Sequence, residues 1–138
     1  MLMPAFYKID KEHKLVISTG SGVFDLATAL AHQDQLVRDP EFDPCYSQLL
    51  DLTQITKVEI SAEDVRKLAE RSVFWRCSRR AILVANDLEY GFARMFEMLR
   101  ENAGEKGIRV FRNLDDALEW IFAAEIAPQK GVSESSAG

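Results

Sequence analysis

The chain has 138 residues and a formal net charge of −5, with 47% hydrophobic and 28% charged residues, the size and balance of one globular domain able to bury a sizeable core. The acidic balance argues against a nucleic-acid partner, which needs a basic face to neutralise phosphates. No apolar run approaches the roughly 20 residues that cross a bilayer.

Phe6 to Asp10 alternates in polarity, and Leu15-Val16-Ile17 follows across the polar link Lys11-Glu12-His13. The pair reads as a β-hairpin, with Lys8 and Asp10 marking a half-exposed strand near an edge. Gly20-Ser21-Gly22 reads as a tight turn. Asp25 then caps a helix to about Arg38, with Leu26, Ala29, Leu30, Gln33 and Val37 inward and Pro40 ending it. Tyr46 to Leu52 is a third strand.

Ser61-Ala62-Glu63-Asp64 has capping-box spacing, with Asp in the place of the usual Glu or Gln. Its helix turns Val65, Leu68, Ala69, Ser72 and Val73 inward. Ala81 to Ala85 is apolar on both faces, as a central strand covered on both sides must be. Asn86 or Asp87 caps a third helix with the stripe Leu88, Phe92, Met95, Phe96 and Leu99, which Gly104 and Gly107 end. Ile108 to Phe111 is the last strand. Asn113 caps a final helix that faces the core through Ala117, Leu118, Ile121 and Phe122.

The order ββαβαβαβα predicts an α/β domain over residues 5–126. Its five-stranded mixed sheet is mostly parallel, is flanked by four helices, and has right-handed crossovers. Residues 127–138 lack apolar content and are expected to form a disordered tail.

No catalytic constellation emerges. Gly20-Ser21-Gly22 lacks the third glycine of a dinucleotide fingerprint; Asp25 stands there, and its carboxylate repels phosphate. His13 and His32 have no neighbours at metal-ligand spacing and read as solvent-facing. There is no Gly-x-Ser-x-Gly elbow and no Walker lysine. No catalytic residue, metal or cofactor is expected. Cys45 and Cys77 follow an N-terminus, Met1-Leu2-Met3-Pro4, without signal-peptide character. They are expected as two reduced thiols in the cytoplasm.

Three groupings remain as candidates. The carboxyl ends of parallel strands, where ligands gather, present Asp51-Leu52-Thr53, Asn86-Asp87 and Arg112-Asn113, although capping explains Asn86, Asp87 and Asn113. Tyr90 and Arg94 share a face of the third helix. Gly91 between them costs about 1 kcal/mol of helix propensity, which implies a close approach by another backbone, the commoner use, or by a ligand. Thr53, Asn86, Tyr90, Gly91 and Arg94 are the candidate ligand-binding residues. Arg71, Arg76, Arg79 and Arg80 surround Trp75 and read as a solvated, salt-bridged surface. Phe74 and Trp75, with the half-exposed first strand, are candidates for self-association.

Leu49-Leu50-Asp51-Leu52-Thr53 leads through Ile55 and Val58 to Ser61 and a helix. With Arg80-Ala81-Ile82-Leu83-Val84, Tyr90-Gly91-Phe92-Ala93-Arg94-Met95-Phe96, Val110-Phe111-Arg112 and Ala117-Leu118-Glu119-Trp120-Ile121, this order resembles the STAS fold of anti-sigma-factor antagonists. More specifically, residues 5–125 resemble the SpoIIAA-like family of small bacterial proteins. The resemblance implies a fold similar to STAS regulators and to Sec14-type (CRAL-TRIO) lipid-binding domains. In the antagonists a serine within Asp-Ser-Ser-Gly is phosphorylated by a partner kinase. Here the stretch is Glu59-Ile60-Ser61-Ala62: Ser61 matches, while the aspartate, the neighbouring serine and the glycine are absent, and capping is the stronger reading of Ser61. The expected function is a non-enzymatic regulatory or protein-interaction module. The alternative is a small apolar-ligand or lipid binder, with Leu88, Phe92, Met95 and Phe96 partly lining a cavity.

Overall fold

A computed structural model describes residues 5–126; the tail expected at 127–138 lies outside the described residues. The elements are β1 (Ala5–Asp10), β2 (Leu15–Asp25), α1 (Leu26–Arg38), β3 (Ser47–Glu59), α2 (Ala62–Ala69), β4 (Arg80–Leu83), α3 (Asp87–Asn102), β5 (Ile108–Phe111) and α4 (Leu114–Ile126). The strands form one five-stranded sheet in the order β1-β2-β3-β4-β5. β1 lies antiparallel to β2 at one edge, and every later pair is parallel. The mixed, mostly parallel α/β sheet expected from the sequence is the one observed.

Spatial order equals chain order, so all three crossovers step in the same direction. Right-handed crossovers then place α1, α2 and α3 on one face of the sheet and leave the other to α4. On that second face Leu15, Leu49, Ala81 and Leu83 pack against Ala117 and Ile121. On the first, α1 packs on β1 and β2 and α3 on β5, while α2 packs chiefly on α1 and α3. A helix seated on its neighbours rather than on strands leaves space beneath it.

The helix starts follow the sequence. Asp25 accepts from the Thr28 amide at 2.8 Å, Asn86 from the Glu89 amide at 2.9 Å, and Asn113 from the Asp116 amide at 3.0 Å. Ser61 and Asp64 form a reciprocal capping box with both bonds at 3.1 Å. The shorter Asp side chain therefore serves where Glu is usual.

β2 and β3 are longer than expected. Gly20-Ser21-Gly22 is not a turn but lies within β2, where the ladder to β3 shifts register between Thr19 and Ser21 and again between Gly22 and Val23. Each shift places an extra residue on β3, and Gly22 takes a φ of 69°. The two bulges reset the alternation, so that Leu52, Ile55 and Val58 all face the helices. Spacing by three does not read as a strand. That is why the strand seemed to end at Leu52.

Several inward positions also differ. Leu36, not Val37, is buried on α1, and Leu88 on α3 is exposed while the neighbouring Glu89 is buried. Glu89 can be buried there because its carboxylate accepts from the Ala85 amide at 2.9 Å. Phe74 is core, packed with Val16 and Leu36, which leaves Trp75 as the exposed member of that pair. Nothing lies within 4 Å of where a Cβ on Gly91 would sit, so no backbone approaches it. The close approach is at Gly107, where a Cβ would stand 2.3 Å from the Ser78 carbonyl oxygen.

Cys45 and Cys77 are joined as a disulfide, with Cα atoms 5.1 Å apart. This overturns the expectation of two reduced thiols, and with it the thiol-based ground for a cytoplasmic location. The parallel register explains the pairing. Gln48 lies beside Arg80 in the β3–β4 ladder, and the same offset of 32 residues, continued back before the strands, sets Cys45 beside Cys77. Among the described residues no helix is long and apolar enough to cross a membrane.

Candidate functional site

The space under α2 is a cavity of about 110 Å³ between the sheet and the three-helix layer. A site for one water takes roughly 10–15 Å³ on the same measure. Leu50, Leu52 and Ile82 line it from the sheet, Ala29 and Leu36 from α1, Val65 and Leu68 from α2, and Phe92, Ala93 and Phe96 from α3. Phe92 and Phe96 thus line it as expected, whereas Leu88 and Met95 do not.

Four polar side chains, Ser18, His32, Gln48 and Arg80, enter the same cavity wall and form a chain of hydrogen bonds. Arg80 Nε donates to Gln48 Oε1 at 3.1 Å, and Gln48 Nε2 donates to Ser18 Oγ at 3.0 Å. Ser18 Oγ lies 2.9 Å from His32 Nε2. The direction of that contact follows the imidazole tautomer, since a serine hydroxyl can accept twice and donate once.

Burial lowers the His32 pKa to about 4, with the Arg80 charge pushing the same way. Neutral imidazole is therefore the form at neutral pH. Tyr7 packs edge-on against the His32 ring at 5.7 Å and donates its hydroxyl to Asp39 at 2.8 Å. Burial first, and the Asp39 carboxylate second, push the Tyr7 pKa up to about 12. His32 is thus not solvent-facing as expected; His13, exposed beside Asp10 at 2.8 Å, is.

Behind Arg80 lies a buried ion cluster. Arg80 Nη1 reaches Glu105 Oε2 at 3.1 Å, and Arg100 Nε reaches Glu105 Oε1 at 2.8 Å. Arg100 also donates to the Ala69 carbonyl and to Ser72. Arg80, Arg100 and Glu105 are 7%, 4% and 3% exposed. Burial lowers the Arg80 pKa, against the opposing pull of Glu105, and its guanidinium lies over the Phe74 ring at 4.4 Å. The arginine group is therefore not one solvated surface. Arg71 pairs with Asp34 near the surface and Arg79 donates to the Trp120 carbonyl, while Arg80 is core.

The sequence matches no protein-family model and no curated protein. The solved structures similar to the chain include two of note. One is an uncharacterized protein of the DUF3478 family from Shewanella loihica PV-4, described as having a SpoIIAA-like fold. It is 20% identical, with a TM-score of 0.53 over 88% of this chain and 96% of that one. The other is an anti-sigma factor antagonist from Mycobacterium paratuberculosis. It is 16% identical, with a TM-score of 0.51 over 85% of this chain and 93% of that one. The chain has a SpoIIAA-like fold. The likeness is one of architecture.

Within this SpoIIAA-like fold, none of Thr53, Asn86, Tyr90, Gly91 and Arg94 lines the cavity. Thr53 is exposed within β3 and bonds Asp51 at 2.6 Å. Asn86 caps α3, and Arg94 pairs with Glu97 at 2.8 Å. The loops after β4 and β5 do converge: Arg112 pairs with Asp87 at 2.8 Å and lies over the Tyr90 ring at 4.7 Å. Thr53 is not among them, because β3 continues past it to Glu59. Ser61 is exposed at the N-cap of α2.

Ser18 and Gln48 escaped the sequence reading, and Arg80 entered it only as a surface residue, although a signal existed. Each has the parity of its strand's helix-facing apolar residues: Val16, Leu50 and Leu52, or Ile82 and Val84. Polar residues of equal parity on three consecutive parallel strands mark a polar patch inside a core.

The neutral His32 makes a pH prediction. Its unfolded form takes a proton near the ordinary 6.5 and its folded form only near 4. The contribution to stability is complete above the higher value and is lost as pH falls through the lower one, a total of roughly 3 kcal/mol. Urea midpoints measured from pH 7 to pH 4 should fall more steeply for the native protein than for His32→Gln. Parallel curves would remove His32 from this account.

Proposed function

We propose that the chain is a non-enzymatic regulatory module that takes up a small, mostly apolar molecule in the cavity beneath α2. The carrying observation is the cavity itself, apolar on most of its walls where helices and sheet would otherwise interlock. Well-packed interiors leave few voids larger than one water, and room on the order of ten non-hydrogen atoms is a binding volume.

The Ser18–His32 pair has the length of a nucleophile and its base. No carboxylate among the described residues orients the imidazole, however, and Gln48 occupies the serine hydroxyl. Those contacts favour a polar wall over a reactive one. The regulatory part of the reading rests on the fold shared with an anti-sigma factor antagonist and on the exposed Ser61. Ser61 caps the helix that roofs the cavity, so a phosphate there would replace the hydroxyl cap of α2. A protein partner engaging that end would read both events.

Thermal unfolding in the presence of octan-1-ol or octanoate tests the cavity. At about a hundred times its dissociation constant, a bound compound stabilises by roughly 2.7 kcal/mol. The melting temperature should rise by several degrees in the native protein and not in Ala93→Leu, which fills the space. Native mass spectrometry of freshly purified protein checks for a retained molecule. No shift with either compound, and no retained mass, would defeat the reading.

A further inference from the structure

Two buried guanidinium groups, Arg80 and Arg100, share the single carboxylate of Glu105. Nearby His32 is neutral, so it offers no second titratable cation and no anion. The cluster therefore carries an excess of one positive charge in a place shielded from water. Buried charge is costly unless paired. Arg100 is fully engaged, with Glu105, the Ala69 carbonyl and Ser72 accepting from its three nitrogens. Arg80 is not. Its Nε and Nη1 are taken by Gln48 and Glu105, whereas Nη2 makes no hydrogen bond to any described residue. Arg80, only 7% exposed, is the member of the cluster that lines the cavity.

Glu89, the one carboxylate among the described residues that line the cavity, does not answer this charge. It accepts from the Ala85 amide and from Asn86, beyond the other end of β4 from Arg80. The wall beside Arg80 offers further donors and acceptors in Gln48, Ser18 and His32, and apart from Thr19, Gln33 and Glu89 the rest of the lining is hydrocarbon and aromatic. Such a site is complementary to a molecule with an anionic oxygen pair at one end and an apolar body.

We propose that the cavity binds a medium-chain monocarboxylate, with its carboxylate at Arg80 Nη2 and the Gln48–Ser18 edge and its chain among Phe92, Ala93, Phe96 and Leu52. This rests on the reading of the cavity as a binding site and adds the chemical class of what enters it. The bound carboxylate neutralises the excess charge, and a charge-assisted hydrogen bond of this kind is about twice as strong as a neutral one. The size, on the order of ten non-hydrogen atoms, fits an eight-carbon acid.

The test is calorimetric titration with three probes of equal chain length: octanoate, octan-1-ol and octylamine. Octanoate should bind at least about tenfold more tightly than the alcohol, and the amine should bind least. In Arg80→Met the acid should lose its advantage over the alcohol. Because that variant strips the buried cluster of a partner and risks misfolding, a second readout uses the native protein. The His32 ring, titrated by NMR, should show a raised pKa with octanoate bound and none with octan-1-ol, since a new anion beside Arg80 offsets the charge that helps to hold His32 neutral. Equal or tighter binding of the alcohol, or an unmoved His32, overturns the assignment of a carboxylate while leaving the cavity a binding site. Binding of none of the three overturns the binding reading as well.

Discussion

Replacing Glu105 by glutamine should cost about 3–5 kcal/mol, the loss expected when one partner of a buried ion cluster is removed and the others stay. Glu105 is 3% exposed and, among the described residues, is the only anion bonded to two guanidinium groups, at 3.1 Å and 2.8 Å. The amide keeps an acceptor oxygen but not the charge, and leaves two cations facing each other away from water. The pair cannot escape by turning outward: Arg80 is held between Gln48 and the Phe74 ring, and Arg100 is tied to the end of α2 through the Ala69 carbonyl. The measurement is the urea midpoint at constant slope. A companion variant, with Arg80 and Arg100 changed to methionine and Glu105 to leucine, should lose far less than Glu105→Gln. Removing a whole cluster takes its desolvation penalty away with it. A loss under about 1 kcal/mol for Glu105→Gln would mean that the carboxylate sits in water and not between the arginines.

The second large effect concerns Cys45 and Cys77. Their bond closes a loop of 32 residues, for which chain entropy alone gives about 3–4 kcal/mol of stabilisation through the unfolded state. The geometry around it is that of strand pairing carried backwards. Ser78 donates to the Tyr46 carbonyl at 2.7 Å, and the Arg79 amide donates to Ser47 at 3.2 Å. The bond therefore staples the entry to β3 onto the entry to β4. Reducing the native protein, or changing both cysteines to serine, should lower the melting temperature by on the order of 10 °C. Because the cavity lies on the other side of Arg80 and Gln48 from this staple, octanoate binding should survive in the double variant at temperatures where it stays folded. Thiol titration of the unreduced protein finding two free groups would remove the bond from the native state.

Helix starts and element order were legible in the residues because they are local. Asp25, Ser61, Asn86 and Asn113 each bond an amide three residues on, and such bonds need only the chain that carries them. The same locality gave the parallel strands, since a helix between two strands requires a crossover. Where local signals misled, the outcome turned on which parts of the chain meet in space. Gly91 looked like a contact glycine on helix propensity, but the backbone that comes close in this fold meets Gly107. Arg80 looked like one of a solvated group, yet its position at the head of β4 turns it towards Glu105 and Phe74.

What the sequence by itself determined is therefore the architecture: one mixed α/β sheet flanked by four helices, its strand directions, its caps and the right hand of its crossovers. What tertiary structure alone decided is the site. Ser18, His32, Gln48 and Arg80 come together across separations of 14, 30 and 32 residues. That meeting depends on the register of β2 on β3 and of β3 on β4, and on α2 resting on its neighbouring helices. Periodicity and capping report which face a residue takes within its own element. They carry no information about which other element will lie opposite, and a buried polar chain exists only once that is settled.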